Sequence, residues 1–185
     1  MSTTTVPLSR AEYELLVEAG ALEGQPVELL SGRKVRMSPE SALHAAMIEV
    51  LAAQLRQPAS QAGLAVRVAH PLALSAIDEP EPDLAVVTAR VDHYAGGHPQ
   101  PADVALIVEV AGASREKDLG DKAARYATAG IDDYWVVDLQ QRTTVVHRDP
   151  DVDQGVYGNV ETIAFGQPTA ALALPKEALR VEIPA

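Results

Sequence analysis

The chain has 185 residues, a formal net charge of −11 and no cysteine. The length suits one domain with a sizeable core, and the lack of cysteine excludes disulfide frameworks, thiolate catalysis and cysteine-based zinc sites. The acidic balance counts against tight non-specific binding of nucleic acid unless a local basic patch exists. No apolar run reaches membrane-spanning length. Residues 1–7 lack the basic and apolar parts of a signal peptide, so we expect a loose tail in a cytoplasmic protein without membrane contact.

The first predicted elements are a helix and a β-hairpin. Ser9 and Glu12 have the spacing of a capping box, and the apolar residues that follow predict a helix that Gly20 ends. The segment PVELLSGRKVRMSP then places two short runs on either side of Ser31-Gly32. This pattern is typical of a hairpin, with Glu28 on its first strand.

A second helix and several strands come next in the chain. Apolar residues at helical spacing predict a helix over 42–55 that ends before Pro58. Residues 64–75 alternate in polarity and predict one or two strands, and the run LAVV at 84–87 predicts another. The run VALIVEV at 104–110 is almost wholly apolar. It predicts a central strand that is buried on both faces.

The last predicted elements are a helix and two paired strands. Residues 119–129 predict a helix that Gly130 closes, and DYWVVDL at 133–139 predicts a buried strand with Tyr134 and Trp135 in the core. The segment TTVVHR pairs with that strand, and beyond Asp149 the pattern weakens into short strands and turns. This order predicts an α/β fold with a mixed β-sheet flanked by helices, in a single domain spanning 1–185.

Two acids at apolar strands are the residues best placed for chemistry. Glu109 lies inside the run 104–110, and Asp83 directly precedes the run 84–87. An ionised carboxylate there loses its water, which is costly unless a cation or hydrogen bonds compensate. Two such acids in a cysteine-free chain point to an oxygen-ligated ion such as Mg²⁺ or Mn²⁺. The alternative is that each acid pairs with an arginine or points outward at a strand end.

Other candidates each have an ordinary explanation beside the functional one. Asp118, Lys122 and Tyr126 are spaced by four and share a helix face. Either the first two form a surface ion pair, or that face packs over the strand of the second acid and brings the lysine to the metal. Glu28 and His44 are either solvated residues or members of the site. The remaining histidines have no zinc-like spacing: His70, His93, His98 and His147.

Three segments in this order resemble the Uma-type (Uma-two) restriction endonucleases, a family of the PD-(D/E)XK nuclease superfamily: VELLSGRKVRMSPESALH, EPDLAVV and LIVEVAGASREKDLGDKAARYATAGIDDYWVVD. The resemblance covers 27–138 and implies a restriction-endonuclease-like core there. It makes Asp83 the aspartate of the PD motif and Glu109 the second acid. The superfamily lysine usually stands two residues later, where this chain has Ala111; the Uma-type pattern moves it to the next helix, at Lys122. The chain departs from the family in reading AGAS where a Ser-Pro-Ser-Thr-like stretch is common.

The resemblance implies a Mg²⁺- or Mn²⁺-dependent endonuclease that hydrolyses DNA phosphodiester bonds. Asp83, Glu109 and the backbone carbonyl of Val110 would bind the ion, which would polarise a phosphate oxygen and activate water. Lys122 would orient that water or offset charge in the transition state. Glu28 matches the acid of the early hairpin and would hold a second ion or the attacking water.

The resemblance adds one accessory residue, and the local distribution of charge adds a basic rim. His44 matches the family's histidine after the Ser-Pro turn, and Asp118 and Tyr126 are further accessory candidates. Two groups of cations, on the hairpin and on or before the helix after the second acid, are expected to contact DNA: Arg33, Lys34, Arg36, Arg115, Lys117 and Arg125.

Two other functions stay open from the sequence, because a fold does not fix a function. The acidic net charge and the lack of an attached DNA-binding domain fit an oligomeric interaction module with weak or no nuclease activity. They also fit a metal-dependent hydrolase of another phosphate ester. A homodimer is expected, since symmetric dimers are the commonest assembly and double-strand cleavage suits two sites.

Overall fold

The computed structural model describes residues 6–112, 114–175 and 179–184. The α-helices are α1 (Arg10–Glu18), α2 (Ala42–Gln61), α3 (Arg115–Lys117) and α4 (Ala123–Thr128), with a π-helical turn (Asp118–Lys122) joining the last two. The longer strands are β1 (Val27–Leu30), β2 (Arg33–Arg36), β3 (Leu64–Val68), β4 (Leu84–Thr88), β5 (Val104–Ala111), β6 (Asp133–Asp138), β7 (Thr143–Asp151) and β8 (Val156–Ala164). Two short strands, β9 (Pro168–Thr169) and β10 (Leu179–Arg180), pair with each other. None of the helices in these ranges has the length and apolar character needed to cross a membrane.

The main sheet has six strands in the order β3-β4-β5-β6-β7-β8. All neighbours are antiparallel except β5 and β6, which run parallel. A parallel pair needs a crossover connection, and here it consists of α3, the π turn and α4. The sheet is therefore mixed and flanked by helices, as the sequence predicts, with the N-terminal helix and the β1–β2 hairpin beside it.

The two faces of the sheet carry separate apolar clusters. Alternation along β5 sends Val108 to the face covered by α2 and Ile107 to the face covered by α4. Trp135 and Tyr134 of β6 divide between the same two clusters, and both are buried as predicted. Glu109 is two residues after Ile107 on β5, so its carboxylate lies on the same face of the sheet, the one covered by α4.

The N-terminal elements pack against one another. Ser9 and Glu12 form the predicted capping box at α1. The hairpin turn needs glycine at Gly32, where φ is +66° and an added Cβ would lie 2.3 Å from the Cβ of Pro7. Residues 1–5 of the predicted loose tail lie outside the described residues, whereas Pro7 packs on this turn.

Three stretches differ from the sequence prediction. Helix α2 continues through Pro58 to Gln61, because Pro58 is buried and the core covers this last turn. Residues 72–74 form a buried loop, so only one strand, β3, comes from the alternating stretch. Strand β8 has nine residues where short strands and turns are expected. Most of its side chains are exposed on both faces, so its sequence lacks the alternation that reveals a strand.

Candidate active site

A cavity of about 410 Å³ brings most of the predicted site residues together. It opens between the hairpin, the start of α2, the segment before β4, the end of β5 and the crossover helices. Glu28, Asp83, Glu109 and Lys122 all line it. The accessory candidates His44 and Asp118 line it as well, and the third, Tyr126, lies beneath it. These residues come from five separate segments, so only the tertiary fold assembles them.

A buried ion pair forms the floor of the cavity. The Nζ atom of Lys122 lies 2.8 Å from Oε1 of Glu109 and 3.2 Å from Oε2 of Glu28. The Tyr126 hydroxyl donates to the same Glu109 oxygen at 3.0 Å. Lys122 and Tyr126 are four residues apart across the π turn and α4, so the crossover helix does present this face to β5. The sequence alternative of a surface Asp118–Lys122 pair is wrong, because both side chains are buried.

Glu28 is a buried hairpin residue rather than a solvated one, with 1% of its surface exposed. Its Oε1 accepts from Lys117 at 2.8 Å, and its Oε2 lies within reach of Lys122 and accepts from the backbone N–H of Glu81 at 3.2 Å. Burial raises the pKa of Glu28, but Lys122 and Lys117 outweigh burial and bring the pKa below its usual value. Glu28 is therefore an ionised bridge between two lysines.

Asp83 is fixed by β5 and α2. Its Oδ2 accepts from the backbone N–H of Val110 at 2.6 Å and lies 3.2 Å from Nε2 of His44. Ser41 caps α2 and accepts from the backbone N–H of His44 at 3.2 Å, which places that ring over the cavity. The hydrogen bond with Asp83 raises the pKa of His44 against the opposing effect of burial. His44 thus lines the candidate site and contacts Asp83, rather than being a fully solvated residue.

The acids of the cavity outnumber its lysines. Burial raises the pKa of Glu109 to about 8; Lys122 opposes this shift, and Asp83 adds to it. Burial lowers the pKa of Lys122, but Glu109, Glu28 and Asp118 raise it further, so the lysine keeps its proton. The acidic lining residues are Glu28, Glu40, Glu81, Asp83, Glu109 and Asp118. Only Lys117 and Lys122 provide permanent positive charge among the lining residues.

The donor set of the cavity fits a hard cation. The second oxygens of Asp83 and Glu109 accept no hydrogen bond from any residue that the structure describes. No three His, Asp or Glu side chains of those residues converge closely enough to hold a metal ion alone. Mg²⁺ commonly uses one or two carboxylates and completes its coordination with water and substrate phosphate. Two carboxylates with spare oxygens meet that requirement, and the backbone N–H of Val110 holds the first of them.

Sequence reasoning missed several polar residues of the cavity, among them Glu40, Glu81 and Ser114. Burial, followed by the charge of Glu28, raises the pKa of Glu81. The sequence offered one signal for Glu81: it is two residues before Asp83 in an extended segment, and alternate residues of an extended chain lie on the same side. The hydroxyl of Ser114 donates to Asp118 at 2.5 Å and so holds the start of the crossover.

The structure divides the predicted DNA-binding cations into three kinds. Lys117 lines the cavity, and Arg115 pairs with Asp138 at 2.5 Å. Arg125 does not flank the cavity: its guanidinium binds Asp78 at 3.1 Å and the hydroxyl of Ser31, so it secures the hairpin turn. The cations of β2 are exposed: Arg33, Lys34 and Arg36.

Comparisons with known proteins agree with this fold. The Uma2 family model, described as "Putative restriction endonuclease", matches residues 10–182. A solved structure of a "putative nuclease belonging to DUF820" from Anabaena variabilis superimposes with a TM-score of 0.70 at 15% identity, covering 95% of this chain and 96% of that one. No curated protein matches the chain. The family match extends well beyond 27–138, so the prediction that the C-terminal stretch lies outside the resemblance is wrong. The chain belongs to the Uma2 family.

Proposed function

We propose that this protein is a metal-dependent endonuclease that hydrolyses phosphodiester bonds in DNA. The observation that carries the proposal is the convergence of Asp83, Glu109 and Lys122 on one cavity, with a free oxygen on each carboxylate. The family description and the nuclease fold of the solved neighbour support the same reaction class.

The residues that would hold Mg²⁺ or Mn²⁺ are Asp83, Glu109 and the backbone carbonyl of Val110. A bound ion supplies Lewis acidity toward a phosphate oxygen and lowers the pKa of bound water. Val110 N–H and His44 together fix one oxygen of Asp83. Tyr126 and Lys122 fix one oxygen of Glu109 in the same way. Each carboxylate is therefore preorganised by one oxygen and offers the other.

Lys122 is the cation nearest the reacting groups. Its ammonium is buried and contacts Glu109 directly, so it would orient the attacking water or stabilise the negative charge that develops on the phosphate. Glu28 uses both oxygens on lysines and a backbone N–H. This occupancy favours Glu28 as a positioning residue for Lys122 over the alternative of a second-ion ligand.

Binding of DNA would depend on the exposed cations of β2. The cavity itself is rich in acids and repels phosphate unless a metal ion is bound. Arg33, Lys34 and Arg36 would contact the backbone beside it, and affinity should fall steeply with salt. Removal of these three cations should lower the dependence of DNA affinity on salt without changing metal binding.

The acidic lining favours a second candidate, a metal-dependent hydrolase of a small phosphate ester. A small substrate needs only the cavity and its ion and does not need an extended basic groove. Cleavage of plasmid DNA and of bis(p-nitrophenyl) phosphate under the same conditions separates the candidates. Cleavage of the small diester alone would favour the second.

The first test is Mn²⁺ binding by titration calorimetry. The intact protein is compared with the double variant Asp83→Ala/Glu109→Ala, and with Glu49→Ala/Glu161→Ala, which removes two exposed acids as a charge-matched control. We expect binding by the intact protein and the control and none by the site variant. Equal binding by all three would sink the assigned metal site, and plasmid cleavage that survives the site variant would refute the catalytic assignment.

A further inference from the structure

A second cavity of about 290 Å³ lies on the edge strand β3 and differs in charge from the first. Its polar lining consists of Arg67, His70, Arg90, His93 and Tyr94, and no acidic residue lines it. The chain has a net charge of −11, whereas this pocket is bordered by two arginines and two histidines, so its local charge is opposite in sign to that of the whole chain. We refer to it as the Arg67 pocket.

Arg67 is incompletely satisfied by the protein. It forms no ion pair with any carboxylate among the described residues, and its Nη1 makes only a long contact of 3.4 Å with the carbonyl of His93. Its Nε is buried and has no hydrogen-bond partner within the same part of the chain. Arg67 is partly exposed, and the N–H groups at the end of its guanidinium have no carboxylate partner, so they are open to an acceptor that comes from outside.

The loop after β4 fixes the pocket in shape. The guanidinium carbons of Arg67 and Arg90 lie 5.5 and 4.9 Å from the ring centroid of Tyr94. The Tyr94 hydroxyl donates to the carbonyl of Thr88 at 2.8 Å and holds the ring in place. His93 and Tyr94 both have positive φ, 49° and 65°, a region that residues with side chains rarely adopt. The surrounding contacts therefore preserve an unfavourable backbone that places the ring in contact with both arginines.

The charge of the pocket comes mainly from one residue. Arg90 makes two bonds of 2.9 Å to Asp92, so its charge is largely balanced. Arg67 has no such counter-ion, and its planar fork matches two oxygens of one tetrahedral anion. A phosphate group is the ligand that this combination of a free guanidinium and neighbouring imidazoles fits best.

The Arg67 pocket adjoins the candidate active site. Ala69 lines the first cavity and donates its N–H to the carbonyl of Asp83 at 3.0 Å, whereas His70 lines the second cavity. Arg67 lies in β3, and Ala69 follows the end of that strand.

We propose that the Arg67 pocket binds a phosphate group and that, in the complex with DNA, this group is a phosphodiester flanking the one that is cleaved. The second half of the proposal rests on the proposed nuclease function, whereas the first half does not. Inorganic phosphate and the backbone of a nucleic acid share the chemistry that the pocket recognises, so each is tested separately.

The test compares Arg67→Gln with Arg56→Gln, a matched control on the exposed side of α2. Inorganic phosphate is titrated by amide NMR, and a fluorescent single-stranded oligonucleotide is titrated by anisotropy, both in EDTA so that neither metal nor cleavage is needed. We expect Arg67→Gln to weaken phosphate binding about ten- to a hundredfold, the usual loss for charge-assisted hydrogen bonds. We also expect it to reduce the salt slope for the oligonucleotide by about one. Arg56→Gln should leave both ligands unchanged.

The outcomes separate the two ligand sources and the two proposals. Loss of both ligands in Arg67→Gln supports a nucleic-acid phosphate site, and loss of inorganic phosphate alone supports a site for free phosphate. Equal effects of Arg67→Gln and Arg56→Gln on both ligands overturn the proposal. Arg67→Lys keeps the charge without the fork and should bind phosphate with intermediate strength, which guards against misfolding of the glutamine variant. Because cleavage is absent from every arm, failure of the nuclease proposal would leave these results intact.

Discussion

Two buried glutamates, Glu109 and Glu79, show what distinguishes a carboxylate of a candidate active site from one that is only buried. Both are almost inaccessible, and burial is the first cause of a raised pKa in each, to about 8 and about 7. Glu109 lies in an open cavity and contacts Lys122. Glu79 lies beside the acid Glu14, and its Oε2 has no partner among the described residues. Its Oε1 is 3.9 Å from Nε2 of His98, but burial lowers the pKa of that imidazole and favours its neutral form. A perturbed pKa alone therefore does not mark the site; a cavity and a paired cation do.

The largest expected effect on stability comes from removing Lys122, the buried ammonium that pairs with Glu109 and has no counterpart at Glu79. Lys122→Met leaves Glu109 without its ammonium partner and Glu28 with Lys117 alone, and loss of one partner from a buried pair costs about 3–5 kcal/mol. The free energy of unfolding from urea titration at pH 7 measures it, with the exposed Lys34→Met as control. A loss below about 1 kcal/mol would mean that Glu109 is neutral and does not depend on Lys122.

Glu79→Gln should act in the opposite direction. Because the folded-state pKa of Glu79 is raised, its contribution to stability is complete below pH 4.5 and is lost as the pH rises through about 7. We expect the glutamine variant to be more stable than the parent by about 1–2 kcal/mol at pH 8, once solvent screening is allowed for. The two should be similar near pH 4. Parallel stability profiles from pH 4 to 8 would contradict this assignment.

Tyr126→Phe tests how much the hydrogen bond from Tyr126 to Glu109 contributes to stability. The substitution removes one hydrogen bond to the carboxylate and keeps the buried ring, so we expect a loss of about 1 kcal/mol in thermal or chemical unfolding. Tyr157→Phe is the control, since the Tyr157 hydroxyl is buried without a partner in the described residues and should be dispensable. Equal losses in both variants would show that the Glu109 bond contributes nothing specific.

Glu14→Gln has the smallest expected effect on stability, within about 0.5 kcal/mol, because Glu14 forms a half-exposed pair with Arg10. It should nevertheless lower the pKa of Glu79, since the charge of Glu14 and its hydrogen bond follow burial among the causes of the shift. A carboxyl NMR titration of Glu79 in both proteins measures it. An unchanged pKa would assign the whole shift to burial.

The sequence predicts the residues whose signal is local. Glu109 stands out because a carboxylate inside an apolar strand is visible in the chain itself. Lys122 and Tyr126 share a face by helical spacing alone. The burial of Glu28 depends on Lys117, which is 89 residues away, so no local pattern reveals it. Arg67 escapes prediction for the same reason, since its pocket needs the distant loop that carries Tyr94. Strand β8 was not predicted, because an edge strand with two exposed faces needs no apolar alternation.

The π-helical turn makes the length of the crossover as important as its composition. Its wide turn adds one residue relative to an α-helix, and Asp118 and Lys122 lie at its two ends. Gly120 is exposed, and an added Cβ would meet nothing within 4 Å, so this position should accept many side chains. Its deletion is a different matter, because removing one residue rotates the two ends of the helix relative to each other by about 100°. The crossover then keeps either the Ser114–Asp118 bond or the Lys122–Glu109 pair, so substitutions should be tolerated here and changes in length should not.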